Sequence, residues 1–170
     1  VYVVVYSFIL PWSVDFKHTI APLKHGCLVG LETGDVESAT ANAGLYIVAH
    51  FHSGSSLPSI SKEILAVLDL VDGRAQALSH QVIKPYYQMV KNLMEPSDEP
   101  SLLKGDVVDG EAICHECKHA RPQQHVHLWI RHNMCMLAYM AGDFIRAESF
   151  GREAMLLLMT RPVGSVDLAK

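Results

Sequence analysis

The hexapeptide Gly34-Asp35-Val36-Glu37-Ser38-Ala39 has a counterpart near the end of the chain, Gly142-Asp143-Phe144-Ile145-Arg146-Ala147. Both follow one pattern: glycine, aspartate, an apolar residue, two variable residues and alanine. Glycine can close a helix in the left-handed conformation, and the aspartate carboxylate can cap the next helix. The apolar residue can then dock against the preceding helix, and the small alanine lets two helices approach. We therefore predict that each copy is the turn of an antiparallel helix hairpin.

The spacing of the two copies indicates a repeat protein. Gly142 follows Gly34 by 108 residues (142 minus 34), which is three periods of about 36 residues, close to the length of a two-helix repeat. Ala147 and Ala154 fit the second helix of a tetratricopeptide (TPR) repeat. The first helix departs from the TPR pattern, because Arg131, Cys135 and Ala138 stand where Trp, Gly and Tyr are usual. The pattern predicts degenerate repeats.

Apolar residues recur with helical spacing along most of the chain. An example is the set Ile60, Ile64, Leu65, Leu68 and Val71, which would form one face of an amphipathic helix. We predict an all-α fold, a superhelical stack of antiparallel helix hairpins (a TPR-like α-solenoid) with about eight helices. Residues 1–170 would form a single helical-repeat domain.

Turn-forming residues indicate where the helices should end. Besides the two Gly-Asp turns, we expect breaks at Gly54 to Pro58, at Asp72-Gly73 and at Pro122, and a long internal loop over residues 95–110. Pro22 and Pro85 lie inside helical patterns and should kink or split those helices.

Composition excludes several classes of function. The formal charge of −4 gives no basic surface for nucleic acid. Four unevenly spaced cysteines are typical of a reducing compartment, which predicts a cytoplasmic protein.

The apolar run Val1 to Leu10 is too short to cross a membrane, and we interpret it as an element that is buried against a second half lying outside this sequence. Because the chain begins with Val and not Met, we interpret it as a fragment of a longer protein, with self-association possible through this N-terminal helix.

The sequence also resembles a known family. The resemblance is to the degenerate helical-repeat region of large microbial signalling proteins with a predicted AAA-type ATPase module, fused to kinase-like, GAF, histidine-kinase or cyclase modules. It covers nearly the whole chain, in these segments: Trp12 to Asp35 with Pro22-Leu23 and Gly30-Leu31-Glu32-Thr33-Gly34-Asp35, then Gly54, Leu57 and Glu63-Ile64, then Tyr86 to Met94, Gly105 to Glu111 and Met136 to Phe144. The resemblance implies a protein-interaction or spacer module whose partners are proteins or neighbouring domains of the same chain.

The catalytic motifs of that family are absent from this sequence. It contains no Gly-x-x-x-x-Gly-Lys-Ser/Thr phosphate loop, no His-Arg-Asp and no Asp-Phe-Gly. We therefore expect no ATPase or kinase activity, no catalytic residues and no cofactor. Histidines do not supply a site either: His50 with His52 and His125 with His127 are two residues apart, which places them on opposite sides of a helix.

One motif supports an alternative function, a small zinc- or redox-active protein. Cys114 and Cys117, followed by His132 and Cys135, have ligand spacing compatible with a tetrahedral zinc ion. Against this, Cys114 and Cys117 share an apolar stripe, and His132 should point away from the apolar side of its own helix. The nearby pair His115 and His119 belongs to the same motif. We favour buried structural cysteines and predict no metal site.

Overall fold

The computed structural model describes residues 2–96, 98–118 and 124–159, with side chains described in these ranges except at 72–81, 118, 124 and 125. The structure is 81% helical, and the prediction of an all-α fold is confirmed. Six main helices occur in the described ranges: α2 (Lys17–Thr33), α3 (Val36–His52), α4 (Leu57–Met94), α5 (Gly110–Lys118), α6 (Gln124–Met140) and α7 (Phe144–Met159). The arrangement of these helices into a solenoid stays a prediction.

The N-terminal apolar run is helical but changes its helix type twice. It starts with one α turn, α1 (Tyr2–Val4), continues as a π turn over Val5–Ile9 and ends as a 3-10 turn over Leu10–Trp12. Pro11 lies in the first turn of the 3-10 segment, where its missing N–H costs no internal hydrogen bond. Helical structure here follows the expectation from the rest of the chain, against the strand propensity of its valines.

The chain forms two compact units, each with its own core. The first comprises Val1–Ser97 with Gly105–Val108, and the second comprises Asp98–Lys104 with Asp109–Lys170. In the first unit, α2 and α3 form a hairpin, and α4 packs against α3. The fully buried side chains of this core include Leu23, Ile47, Ile60, Ile64, Ile83 and Met89.

Helix α4 corrects the prediction of a turn at Asp72-Gly73. It runs without a break for 38 residues and includes both Gly73 and Pro85. A glycine in a helix interior costs only about 1 kcal/mol relative to alanine, and the following Arg74, Ala75 and Gln76 are good helix formers. The larger cost of Pro85 is offset by burial of Tyr86, Met89 and Val90 just after it. Pro22 likewise lies inside an unbroken helix, α2.

A short segment after α4 is fastened back onto this helix by side chains. The Gln88 Oε1 atom accepts hydrogen bonds from the backbone N–H groups of Val107 (2.9 Å) and Val108 (3.3 Å). Lys91 Nζ lies 2.8 Å from each carboxylate oxygen of Asp106. The segment between α4 and α5, predicted as a loop over residues 95–110, runs from Glu95 to Asp109.

In the second unit, α6 packs against both α5 and α7. Its core is formed by Cys114 of α5, by Val126, Ile130, Met134 and Leu137 of α6 and by Ala147 of α7. The turn expected at Pro122 lies outside the described residues. Helices α6 and α7 are joined by the second Gly-Asp turn.

Candidate functional site

The two Gly-Asp turns have the same local geometry. Gly34 has φ of 77° and Gly142 has φ of 79°, both in the left-handed region that favours glycine. The Asp35 carboxylate accepts a hydrogen bond from the backbone N–H of Ser38 (3.0 Å), and Asp143 accepts one from that of Arg146 (3.0 Å). The predicted closing glycine and capping aspartate are confirmed in both copies. The hydrogen bonds with Ser38 lower the pKa of Asp35.

The apolar residue of the pattern behaves differently in the two turns. Val36 is half-buried, whereas Phe144 is 63% exposed and contacts the equally exposed ring of Tyr139 at a centroid distance of 5.6 Å. Phe144 thus docks against the preceding helix α6 as predicted, but it is not buried there. Its contact with α6 lies at the surface, because the buried side of α7 begins with Ala147.

Small residues lie where the two helices of each hairpin meet. A β-carbon built on Gly30 would lie 2.8 Å from the backbone nitrogen of Ala39 and 2.9 Å from its Cα. One helical turn before Gly30, a β-carbon on Gly26 would lie 2.7 Å from Asn42 Oδ1. In the second hairpin, Ala147 is buried, and a β-carbon on Gly151 would lie 3.4 Å from Cys135 Sγ, an ordinary contact. The first hairpin therefore depends on glycines where its two helices meet, and the second has room for a β-carbon at Gly151.

The structure does not bring together the four residues of the alternative zinc interpretation, Cys114, Cys117, His132 and Cys135. Cys114 and Cys117 are buried on α5, His132 is exposed on α6, and Cys135 is partly exposed. In residues 2–96, 98–118 and 124–159, no three His, Cys, Asp or Glu side chains are grouped so as to hold a metal ion. His119 and the side chain of His125 lie outside the described residues.

Burial also suppresses the chemistry of the thiols. It raises the pKa of Cys114 to about 12, the nearby Arg131 charge acting in the opposite direction, and it raises the pKa of Cys117. Both thiols are therefore protonated near neutral pH in the metal-free chain, whereas nucleophilic attack needs the thiolate. Their place among the apolar side chains of the second unit is that of small hydrophobic residues.

A buried arginine, which the sequence analysis treated only as a departure from the TPR pattern, connects three helices. The Arg131 side chain is 4% exposed. Its Nη1 and Nη2 atoms donate to Glu111 Oε1 (2.8 Å) and Oε2 (3.1 Å), and its Nε lies 2.9 Å from Glu153 Oε2 as an ion pair without hydrogen-bond geometry. The guanidinium carbon lies 5.5 Å from the centre of the Phe150 ring. Arg131 on α6 thus holds α5 and α7 together.

A second polar cluster lies in the first unit. The Tyr46 hydroxyl donates to Glu63 Oε2 (2.5 Å), and Lys24 Nζ lies 3.2 Å from the same oxygen. The hydrogen bond from Tyr46, followed by the interactions with Lys24, lowers the pKa of Glu63. The cluster joins α2, α3 and α4. Its two charged groups, Lys24 and Glu63, form an ion pair with each other.

The serines after α3 contact a histidine without forming a catalytic arrangement. His50 Nδ1 lies 3.1 Å from Ser55 Oγ, and burial lowers the pKa of His50, which keeps the ring neutral. However, Ser55 Oγ also contacts Ser53 Oγ at 3.1 Å, and Ser53 donates to the His50 carbonyl at 2.8 Å. These hydroxyls close the end of α3, which is a structural role.

Among the described side chains of the first unit, the most exposed large apolar ones belong to its N-terminal segment. Trp12 is 90% exposed, Phe8 62% and Ile9 56%. We name these residues, together with Phe16, the N-terminal apolar surface. A cavity of about 390 Å³ adjoins it, with Leu23, Leu45 and Val48 in its wall, and a second of about 360 Å³ lies between Phe8 and Trp12. No Asp, Glu, Lys or Arg lines either cavity.

Comparisons with protein-family models, with curated proteins and with solved structures found no match. Within the described ranges, none of the helices has both the length and the apolar character needed to cross a membrane.

Proposed function

We propose that the chain is a non-catalytic helical-repeat module that binds proteins and acts as a spacer within a multidomain signal-transduction ATPase or kinase. The observation that carries this proposal is the N-terminal apolar surface, with Trp12 almost fully exposed beside two uncharged cavities. An exposed apolar patch of this kind marks an interaction site. The two matching hairpin turns support the repeat character of the module.

The shape and chemistry of the surface favour an amphipathic helix as its partner. Residues 2–14 carry no charged side chain, so the partner must bury apolar groups to gain affinity. Two neighbouring cavities can each receive a large aliphatic or aromatic side chain, as in the binding of a helix to a groove. Ser7 lines both cavities, and no charged side chain adjoins it there. That helix belongs to another protein or to a neighbouring domain of the parent chain.

The polar clusters support a structural and not a catalytic interpretation. Arg131 and Glu63 have charged partners within hydrogen-bond distance, and the Ser53, Ser55 and His50 contacts end a helix. The four free cysteines fit a reducing compartment. We therefore include location in the cytoplasm in the proposal.

The proposal can be tested by selecting binding partners from a displayed library of helical peptides. We expect the selected peptides to be amphipathic helices that bind the chain with micromolar affinity. A double variant, Phe8→Ser with Trp12→Ser, should bind them at least about ten-fold more weakly, because aromatic anchors dominate such interfaces. Leu65→Ser is the matched control, since Leu65 is also an exposed apolar residue of the first unit but lies outside the surface.

Equal binding by wild type, double variant and control would contradict the proposed binding surface. Failure to select any amphipathic helix would contradict the proposed class of partner. Circular dichroism of each variant would verify that the helices are intact, which is expected because Phe8 and Trp12 are largely exposed.

A further inference from the structure

The outward face of α7 combines apolar and charged residues in an unusual order. Ile145, Glu148, Arg152, Met155 and Met159 follow one another at alternating spacings of three and four residues, and they share one side of the helix. All five are exposed, Ile145 to 84% and Met159 to 75%. Phe144 and Leu156 flank this face, and each is 63% exposed. Three of the five are apolar, as are the seam residues of helices that pair with another helix.

The order of residues along the face is nearly symmetric about Phe150. At equal distances before and after this position lie Ile145 and Met155, both apolar, and Phe144 and Leu156, again both apolar. Glu148 and Arg152, nearest to the centre, carry opposite charges. If two such helices lie antiparallel with their centres together, each residue of one helix faces its counterpart in the other.

We propose that this face binds the same face of a second copy of the chain in an antiparallel, two-fold symmetric pair. Glu148 of each copy then lies opposite Arg152 of the other, and Ile145 lies opposite Met155. The complementary charges occupy the middle of the interface, with an apolar layer on each side. This inference goes beyond the proposed function and does not depend on it.

Charge complementarity favours a second copy over an unrelated helix. Within one chain, Glu148 Oε1 and Arg152 Nη2 already form an exposed ion pair at 2.6 Å. In a parallel pairing the same face would place like charges at the same level, whereas the antiparallel pairing gives each charge two partners of opposite sign. One pair of helices of this length forms only a small interface, so the expected association is weak, on the order of 10–100 µM.

The test is a charge exchange at the two central positions, measured by sedimentation velocity. The measurements use the whole 170-residue chain with Phe8→Ser and Trp12→Ser present throughout, so that the N-terminal apolar surface does not contribute. In this background the parent should dimerise. Glu148→Arg or Arg152→Glu alone should weaken dimerisation at least about ten-fold, because each brings like charges together.

An equimolar mixture of the two single variants provides the decisive result. One variant then offers two arginines and the other two glutamates, so the mixed pair has only opposite charges facing each other and should form as strongly as the parent dimer. A parent that stays monomeric up to about 1 mM would overturn the proposal. So would variants that dimerise like the parent, or a mixture that associates no better than its components, since another surface or another occupant would then be responsible.

Discussion

Replacement of Gly30 by alanine is expected to destabilise the chain by about 2–3 kcal/mol, although alanine is the better helix former. The new β-carbon would lie 2.8–2.9 Å from the nitrogen, Cα and Cβ of Ala39, two of which are backbone atoms that no change of rotamer can move. Helices α2 and α3 would have to separate, which loses contacts along the whole hairpin. Chemical denaturation followed by circular dichroism measures the change.

Gly151→Ala is the matched control for this prediction. Gly151 also lies inside a helix, but its β-carbon would meet only Cys135 Sγ at 3.4 Å, an ordinary contact. We expect this variant to be unchanged or up to about 1 kcal/mol more stable, because alanine has the higher helix propensity. Equal effects of the two substitutions would show that α2 and α3 do not approach closely at Gly30.

The second large effect concerns the charges around Arg131. Removal of both carboxylates, by Glu111→Ala with Glu153→Ala, should destabilise the chain by about 3 kcal/mol, because a nearly buried guanidinium would lose its compensating charges. Arg131→Met should cost much less, within about 1.5 kcal/mol. The carboxylates of Glu111 and Glu153 are about half exposed and can be hydrated again when the arginine is absent.

Combining these substitutions gives the internal control. In the triple variant with Arg131→Met, no buried charge remains, so loss of the two carboxylates should cost under about 1 kcal/mol. Unfolding free energies of the four proteins from urea titrations provide the comparison. If the carboxylates cost the same with and without Arg131, the ion cluster does not hold α5, α6 and α7 together.

Features set by neighbouring residues in the sequence could be predicted. The left-handed glycines and capping aspartates at Gly34-Asp35 and Gly142-Asp143 depend on a few consecutive residues, and both appear as expected. The break expected at Asp72-Gly73 does not occur, because one glycine costs only about 1 kcal/mol, less than the burial of Val71 before it and of Ile83 after it provides. The tertiary contacts of α4 therefore outweigh the tendency of Asp72-Gly73 to form a turn.

Features that need partners distant in the sequence could not be predicted. Arg131 forms ion pairs with Glu111 and Glu153, about 20 residues away on each side. In the sequence, the only sign that Arg131 needs a counterion is its position next to the apolar Ile130. The cavities beside Phe16 also depend on several elements. For the Cys114 and Cys117 motif, the spacing allowed two interpretations, and the burial of both thiols in the structure fits the structural one.

Whether the two Gly-Asp hairpins are copies of one repeat can be measured by exchanging their turns. The substitutions Val36→Phe, Glu37→Ile and Ser38→Arg give the first turn the sequence of the second. The helix cap is preserved, because Asp35 accepts its hydrogen bond from the backbone N–H of residue 38. We expect the free energy of unfolding to change by less than about 1 kcal/mol. A control with Gly34→Val and Asp35→Ala, which removes the left-handed glycine and the cap, should cost about 2–3 kcal/mol. If the exchanged turn proved as destabilising as this control, the hairpins would not be equivalent repeats.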